Sequence, residues 1–446
     1  MGSRREPSIH DKDCLNDDIN LHNLSPMTVS KTSDSGIYGA VFNLTTTVIG
    51  AGIMALPATM KVLGLVAGVV LILLMGILSE ISVELLIRFS VQCKATSYGE
   101  VVEQALGSPA RIISEICIIL NNAGVLVVYL IIVGDVMSGS PRHSGVLIQW
   151  FGTGIWENRR LVIFIVLIVF LAPLCALDKI ESLSVTSGAS VVLAVLFVIV
   201  ASVVAFIMLV EGKTDPPRLI PDFSSKQAIL DLLVVIPIMS NAYVCHFNIQ
   251  PIYNELEGRS PQKMNKVGRL TTIICVLIYW STAIAGYLLF GNNTEPDVLT
   301  NFDKPLPIRF SVGLSYLVRV GYIFHLVLVF PVIHFSLRQT VDTLAFKGAK
   351  PLCQSKKRCL GLTCVLLMLI YLASTMIPSI WTAFKFTGAT TAVSLGFTFP
   401  ALIALQLGHE SSPGLSNRER LFSWVMLILA IMVSVVGVVS NIYSMQ

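Results

Sequence analysis

The chain has 446 residues, of which 54% are hydrophobic and only 13% are charged. This composition excludes a soluble globular domain, in which about a quarter of the residues would be charged, and indicates an integral membrane protein. The formal net charge of +4 is too small to indicate nucleic acid as a partner.

The first segment, residues 1–36, is polar and charged and contains no apolar core. A segment of this kind cannot bury enough apolar surface to fold, so we predict a disordered tail. The rest of the chain, residues 37–446, is predicted to form the transmembrane domain.

Eleven apolar stretches follow the tail, each close in length to the about 20 residues that a helix needs to cross a bilayer. The loops between them are short and leave no room for an inserted soluble domain. The predicted fold class is therefore an all-α integral membrane protein with eleven transmembrane helices. Numbered one to eleven in chain order, the predicted spans are 37–60, 66–89, 111–138, 160–177, 184–210, 228–256, 266–290, 310–338, 360–378, 383–407 and 420–442.

The Lys and Arg residues predict the orientation of these spans, because cytosolic loops carry an excess of them. With the N-terminus inside, the cytosolic segments carry 20 of the 31 Lys and Arg residues and the opposite segments carry 9. This bias favours a cytosolic N-terminus and, after eleven crossings, a C-terminus on the far side.

Span one contains Gly50, Ala51 and Gly52 at its middle, with Pro57 beyond them. In a helix interior Gly costs about 1 kcal/mol and Pro about 3 kcal/mol, so a break is predicted near the midplane. Backbone groups freed there must line protein or a watery cavity. The N-terminus of the second half-helix, from Ile53, would then present its positive end to a carboxylate. A side chain at Gly52 is expected to block a close backbone approach.

Span six carries a second predicted interruption, where Pro237 and Pro251 bracket a group of polar residues that includes Ser240, Asn241 and His246. Interrupted helices at positions one and six are typical of two five-helix inverted repeats with the substrate between them. We therefore predict a 5+5 inverted-repeat transporter fold. Its repeats are about 37–210 and 228–407, and 420–442 is an extra helix.

Several motifs resemble the amino acid/auxin permease family over about residues 37–445, with the span-six motif the most specific. The pattern is most similar to the plant vacuolar amino acid transporters and, next, to the animal sodium-coupled neutral amino acid transporters. The matching segments include Val41-Phe-Asn-Leu, Ile49-Gly-Ala-Gly-Ile, Thr96-Ser-Tyr-Gly-Glu-Val, Tyr243-Val-Cys-His-Phe-Asn, Pro251-Ile-Tyr-Asn-Glu-Leu, Gly286-Tyr-Leu-Leu-Phe-Gly and Phe386-Thr-Gly-Ala-Thr.

This resemblance implies amino acid transport through the fold first known from the bacterial leucine transporter. The candidate substrate-binding residues are those at the two predicted interruptions: Ile49, Gly50, Ala51, Gly52, Ser240 and Asn241. Amino acid substrate and lipid bilayer are the expected partners. No cofactor, metal site or enzymatic residue set is predicted.

The driving ion is indicated by departures from the resemblance. Sodium-coupled relatives carry Asn at the position of Thr46 and a Thr in the stretch that corresponds to residues 326–331, which has no hydroxyl in this chain. A hard cation needs oxygen ligands, so Asn43 and Thr46 are interpreted as the remnant of a cation site. The expectation is proton coupling or uncoupled transport, with sodium symport as the alternative.

Titratable residues within spans are candidates for coupling or gating, since such groups are costly in lipid and usually face the bundle interior. They are His246, Arg319, His325 and Glu80. Arg319 stays charged and would pair a carboxylate or hold a gate, whereas His246 is the better pH switch. The resemblance to the vacuolar branch favours a vacuolar membrane with export into the cytosol, and the plasma membrane is the alternative. A receptor that senses amino acids is the alternative from another class.

Overall fold

The structure, a computed structural model, describes residues 36–140, 142–176, 184–346, 349–350, 352–410 and 414–443. The tail predicted at residues 1–36 lies, apart from Gly36, outside the described residues. The described residues are predominantly helical and include one short hairpin, in which β1 (Gly139–Ser140) pairs antiparallel with β2 (His143–Ser144).

The helices begin and end close to the predicted boundaries. They are α1 (Ile37–Val48), α2 (Gly52–Leu63), α3 (Leu65–Gln92), α4 (Tyr98–Leu106), α5 (Ser108–Met137), α6 (Val146–Phe151), α7 (Arg159–Val166), α8 (Ala172–Cys175), α9 (Ser184–Val210), α10 (Lys226–Tyr243), α11 (Ile249–Asn254), α12 (Pro261–Phe290), α13 (Ser311–Ala345), α14 (Lys356–Met376), α15 (Ile380–Thr387), α16 (Phe399–Glu410) and α17 (Asn417–Tyr443).

Serine residues fix several of the helix starts. The hydroxyl of an N-cap serine accepts a hydrogen bond from one of the amides that the first helical turn leaves unpaired. Ser225 accepts from the Ala228 amide before α10, and Ser260 accepts from the Lys263 amide before α12. In α12 the cap is followed by Pro261 at the first helical position, where a missing amide hydrogen costs nothing.

Ten of the eleven predicted spans are long and apolar enough to cross a bilayer. Within the described residues these are nine single spans and one pair, α1 and α2, which is bent by 62°. The remaining predicted span, 160–177, is helical in three consecutive pieces of eight, five and four residues. Its middle piece is a π-turn, Leu167–Leu171, and the run is shorter than the about 20 residues of a typical span.

The broken pair α1 and α2 lies at the centre of the bundle. The long helix α12 packs against α1, α2, α3 and α9, while α10 packs against α2. Helix α13 packs against α5 and α9 and completes the wall around the pair. Helix α17 is peripheral, since only 28% of its apolar window is buried, and its exposed Leu, Val and Ile residues are suited to contact lipid.

Prolines do not mark the interruptions. Pro57, Pro237 and Pro331 each lie inside a helix that continues through them. The predicted interruptions occur instead at Ile49–Ala51 and at Val244–Cys245. The tenth predicted span also departs from a regular α-helix, since it contains π-turns at Gly388–Ala392 and Ser394–Thr398.

Candidate functional site

The two interrupted spans contact each other at their breaks. A Cβ placed on Gly52, the first residue of α2, would lie 3.1 Å from Ala242 Cα and 3.2 Å from Ala242 Cβ. Ala242 belongs to the last turn of α10, just before the second break. Gly52 therefore allows a close backbone approach, as expected from the sequence, and the backbone that approaches it is α10.

Tyr279 of α12 forms hydrogen bonds at both breaks. Its hydroxyl oxygen lies 2.9 Å from the carbonyl oxygen of Val48 and 2.6 Å from that of Ala242, and the side chain is buried. These carbonyls end the helices that precede the breaks and have lost their usual helical partners. One hydroxyl proton shared between them compensates for part of that loss.

Two more tyrosines surround the first break. The Tyr322 hydroxyl of α13 donates to the Gly50 carbonyl at 3.1 Å. The Tyr129 hydroxyl of α5 is hydrogen-bonded to the backbone of Ala51, and it would lie 3.0 Å from a Cβ placed on Gly50. The break is therefore a polar backbone segment held by side chains from three different helices.

Amide groups remain available at this break. Backbone hydrogen bonds use the amides of Ile49, Ile53 and Met54. In the described part of the chain, the amides of Gly50 and Gly52 have no backbone acceptor. Since they lie at the N-terminus of α2, the partial positive charge of that helix end adds to their attraction for an anion.

A cavity of about 120 Å³ lies beside the two breaks. It is smaller than the about 300 Å³ at the lower end of drug-sized pockets, which suits a small solute. Helix α1 lines it from Phe42 to the break, whereas among the described residues of α2 only Gly52 does so. The next four residues of α2, Ile53 to Leu56, are 0% exposed. The cavity thus extends towards the α1 side, which the sequence predicts to be cytosolic, and the α2 side is closed.

Neutral polar side chains from separate helices contribute to the cavity wall. Asn241 donates through Nδ2 to Thr387 Oγ1 at 2.5 Å, while its Oδ1 is buried without a hydrogen-bond partner in the described residues. On α5, Asn122 donates to Ser336 Oγ at 3.4 Å, and Asn121 accepts from a hydroxyl of the tenth span at 3.3 Å. Such groups can orient a zwitterion without adding a fixed charge.

Most of the sequence-predicted substrate residues meet at this cavity. It is lined by Ile49, Gly50, Ala51, Gly52 and Asn241, and also by Thr46 and His325. Ser240, His246, Arg319, Glu80 and Asn43 are not among the residues that line it.

Each of the residues outside the cavity has a distinct environment. Ser240 donates within its own helix to the Ile236 carbonyl, and the Asn43 carbonyl accepts from Thr46 Oγ1. Glu80 forms an ion pair with Arg269 at 3.1 Å. Within the described residues, no three His, Cys, Asp or Glu side chains are grouped as a metal site requires.

The other three of the four coupling or gating candidates differ in their contacts. His246 packs against Phe397, and both of its ring nitrogens are buried without hydrogen-bond partners in the described residues. His325 lines the cavity and places Nδ1 2.7 Å from the Ser190 carbonyl oxygen. Arg319 donates to the carbonyls of Val136 and Ser144 at 3.0 and 2.7 Å and to Gln149 Oε1 at 3.1 Å, so within the described residues its hydrogen bonds go to neutral oxygens rather than to a carboxylate.

Sequence reasoning missed Tyr129, Tyr279 and the amides of Asn121 and Asn122. A tyrosine deep in a span rather than at its interface was the available signal, because a buried hydroxyl needs a partner. Nothing in the sequence identifies that partner, which lies on another helix.

The chain is similar to known proteins in sequence and in structure. A family model described as "Transmembrane amino acid transporter protein" matches residues 33–444. Amino acid transporter AVT6E of Arabidopsis thaliana is 72% identical over 423 residues, which cover 94% of this chain and 86% of that protein. Amino acid transporter AVT6A of the same plant is 43% identical over 411 residues, covering 91% and 88%.

A solved structure of a sodium-coupled sialic acid symporter, in its substrate-bound outward-open state, has the same fold. It is similar with a TM-score of 0.52 and 11% sequence identity, and the match covers 97% of each chain. The family resemblance and the transporter fold predicted from the sequence are confirmed by these comparisons.

Proposed function

Since the chain belongs to the transmembrane amino acid transporter family, we propose that it is a secondary carrier that binds its substrate at the two broken spans and alternates access around that site. It is a membrane transporter and not an enzyme. The observation that supports the proposed site most is the cavity bounded by both breaks, with unpaired amides in its wall.

The substrate carboxylate is bound by the backbone amides of Gly50 and Gly52, at the positive end of α2. The substrate ammonium is bound by oxygen atoms, of which Asn241 Oδ1 is one that is buried beside the second break without a hydrogen-bond partner in the described residues. Because Asn241 Nδ2 is held by Thr387, the amide is oriented with its oxygen free to accept. Substitution of Asn241 by Leu should raise the KM for uptake by tenfold or more, and an unchanged KM would remove Asn241 from the site.

Transport does not require sodium. The carbonyls that a cation would use at the first break already accept hydrogen bonds from Tyr279 and Tyr322. At the remnant positions, the Asn43 carbonyl likewise already accepts a hydrogen bond, from the Thr46 hydroxyl. The carrier is proton-linked or uncoupled, with sodium symport as the alternative.

Among the titratable candidates for a proton link, His246 and His325 are the two that lie near the breaks. Uptake by His246→Gln and His325→Gln should be compared with the parent from pH 5 to pH 8. A changed pH profile with a preserved maximal rate assigns the proton to that residue. An unchanged pH profile in both variants would mean that the carrier is uncoupled or that Glu80 binds the proton.

The proposed location is the vacuolar membrane, with the N-terminus in the cytosol and net export of amino acids into the cytosol. The plasma membrane is the alternative location. Two measurements decide between them: co-localisation of a tagged full-length chain with markers of both membranes, and efflux of labelled amino acid from isolated vacuoles. Labelling of the plasma membrane alone would overturn this placement.

A further inference from the structure

A carboxyl group is buried in the loop that joins α12 to α13. Asp297 lies outside the spanning helices and is 4% exposed. Its Oδ1 accepts from the Leu299 amide at 3.0 Å, and its carbonyl accepts from the Thr300 amide at 3.1 Å. Its Oδ2 is buried with no hydrogen-bond partner in the described residues.

This loop covers α2 on the side away from the substrate cavity. The Val298 amide donates to the Met54 carbonyl at 3.3 Å, and Lys61 donates to the Thr294 carbonyl at 3.0 Å. Val298 itself is 1% exposed. We call residues 294–300 the lid, because they must move before solvent on this side can reach α2.

The charged and titratable groups that interact electrostatically with Asp297 lie on α5 and α13. Asp135 of α5 is paired with Arg159 at 2.6 Å, and α13 contributes Arg319 and Tyr322. On the lid, Glu295 lies 3.7 Å from Arg142 and 3.5 Å from His143. Asp297 has no ion-pair partner among the described residues.

Burial and the negative charge of Asp135 raise the pKa of Asp297 to about 8, although the Leu299 amide and Arg319 act in the opposite direction. An exposed aspartate has a pKa of about 3.9. With the lid closed, the carboxyl is therefore neutral at pH 7 and below. A neutral carboxyl also tolerates an unpaired oxygen better than an ionised one does.

We propose that Asp297 is a proton-binding site that holds the lid closed: the lid closes with Asp297 protonated and opens with Asp297 ionised and hydrated. The proposal rests on the orientation given under the proposed function, in which the lid faces the non-cytosolic solution. Closing takes up one proton from that solution and opening returns it to the same side. The proton therefore regulates the carrier and is not itself transported.

The sign of the pH dependence follows from linkage. The closed lid binds the proton more tightly than the open lid, so acid favours closure. Between about pH 4 and about pH 8 the ratio of closed to open carrier rises about tenfold for each unit by which the pH falls. An acidic lumen therefore biases the carrier towards its cytosol-facing form.

The test is the reactivity of a thiol placed under the closed lid. Val298→Cys is made in the full chain, reconstituted in liposomes and treated from the lid side with a membrane-impermeant maleimide. Its labelling rate is divided by that of Thr153→Cys, an exposed position on the same predicted side, which cancels the intrinsic pH dependence of thiols. The chain without an introduced thiol gives the background.

With Asp297 intact, the ratio of the two labelling rates should fall at least tenfold from pH 8 to pH 5. When Asp297→Asn is added, the ratio should be equal at the two pH values. Asp222→Asn, which removes an exposed carboxyl outside the spans, should leave the fall intact, as should Asp297→Glu. A constant ratio in the parent overturns the proposal, even if Asp297→Asn fails to fold. A fall that persists in Asp297→Asn overturns it as well.

This assay needs no substrate, so its failure is separate from failure of the transport proposal. Labelling of Thr153→Cys only from the other side of the membrane would overturn the orientation.

Discussion

At the scale of single residues, three tyrosine hydroxyls hold the backbone that the broken helices expose. Tyr129, Tyr279 and Tyr322 come from three helices and contact Ala51, Val48 and Gly50 of the first break. An unpaired backbone carbonyl or amide in an apolar environment costs several kcal/mol, so these hydroxyls stabilise a shape that lipid alone would disfavour. The same contacts fix the orientation of the free amide groups at the break.

Tyr279→Phe tests this stabilisation. The substitution leaves the carbonyls of Val48 and Ala242 without their shared donor, which should cost about 1–3 kcal/mol. The expected result is a lower thermal unfolding midpoint of the purified protein, measured by loss of the monodisperse peak on heating. Tyr371→Phe is the matched control, because its hydroxyl bonds to Arg160 at an exposed edge. Equal midpoints for the two variants would contradict the assignment.

Gly50→Ala tests the backbone site for the carboxylate. The new methyl group would lie 3.0 Å from the Tyr129 hydroxyl and must displace it, changing the geometry of the break. We expect the KM for amino acid uptake to rise about tenfold, or about 1.4 kcal/mol. Gly321→Ala is the control, since nothing lies within 4 Å of its added Cβ. Equal KM values in both variants would exclude Gly50 from the site.

Residue-level prediction from the sequence succeeded where backbone chemistry decides the outcome. Gly50, Ala51 and Gly52 could be placed at a break because Gly disfavours a helix in any context. The close approach at Gly52 was expected, but its partner Ala242 was not, since only the packed fold brings α10 there. Tyr279 was missed for the same reason: its two acceptors belong to different helices.

At the scale of elements, the breaks at Ile49–Ala51 and Val244–Cys245 lie where the sequence predicts interruptions, but prolines do not cause them. The helices continue through Pro57 and Pro237 because a proline removes only one backbone hydrogen bond. At the breaks, several backbone groups bond instead to side chains of neighbouring helices. The short helical run from α7 to α8 could not be predicted either. Its apolar residues fit a full span, and the π-turn within it has no sequence signal.

The geometry of the first break gives a prediction for ion dependence. The hydroxyls of Tyr279 and Tyr322 donate to the carbonyl oxygens of Val48 and Gly50, which leaves these oxygens fewer lone pairs for a sodium ion. Replacing sodium by choline at fixed pH should therefore change initial uptake into proteoliposomes less than twofold. The same vesicles with the pH gradient collapsed serve as the control for proton linkage. A loss above about tenfold, equivalent to about 1.4 kcal/mol, would establish sodium coupling.

At the scale of the whole molecule, the cavity at the breaks extends to one side of them only. It follows α1 and the C-terminal half of α13, while α2 and the lid close the other side. A carrier that alternates access has two such forms, and this structure has the geometry of the form open towards the N-terminal side. The compartment that this side faces depends on the orientation of the chain in the membrane.

The orientation has its own test. The excess of Lys and Arg favours a cytosolic N-terminus. An epitope added before Met1 should be digested by protease outside intact isolated vacuoles, whereas one inserted at Gly152 should be protected until the membrane is opened. The opposite pattern would invert the orientation and with it the direction of opening.

The central claim, that this chain carries amino acids rather than sensing them, is tested most directly by counterflow. Purified full-length protein is reconstituted in liposomes loaded with excess unlabelled amino acid and diluted into a trace of the labelled compound, without sodium or pH gradients. A carrier predicts transient accumulation of label above its outside concentration, abolished in protein-free liposomes. Saturable binding of the amino acid to the purified protein without any counterflow would contradict the account and identify a sensor.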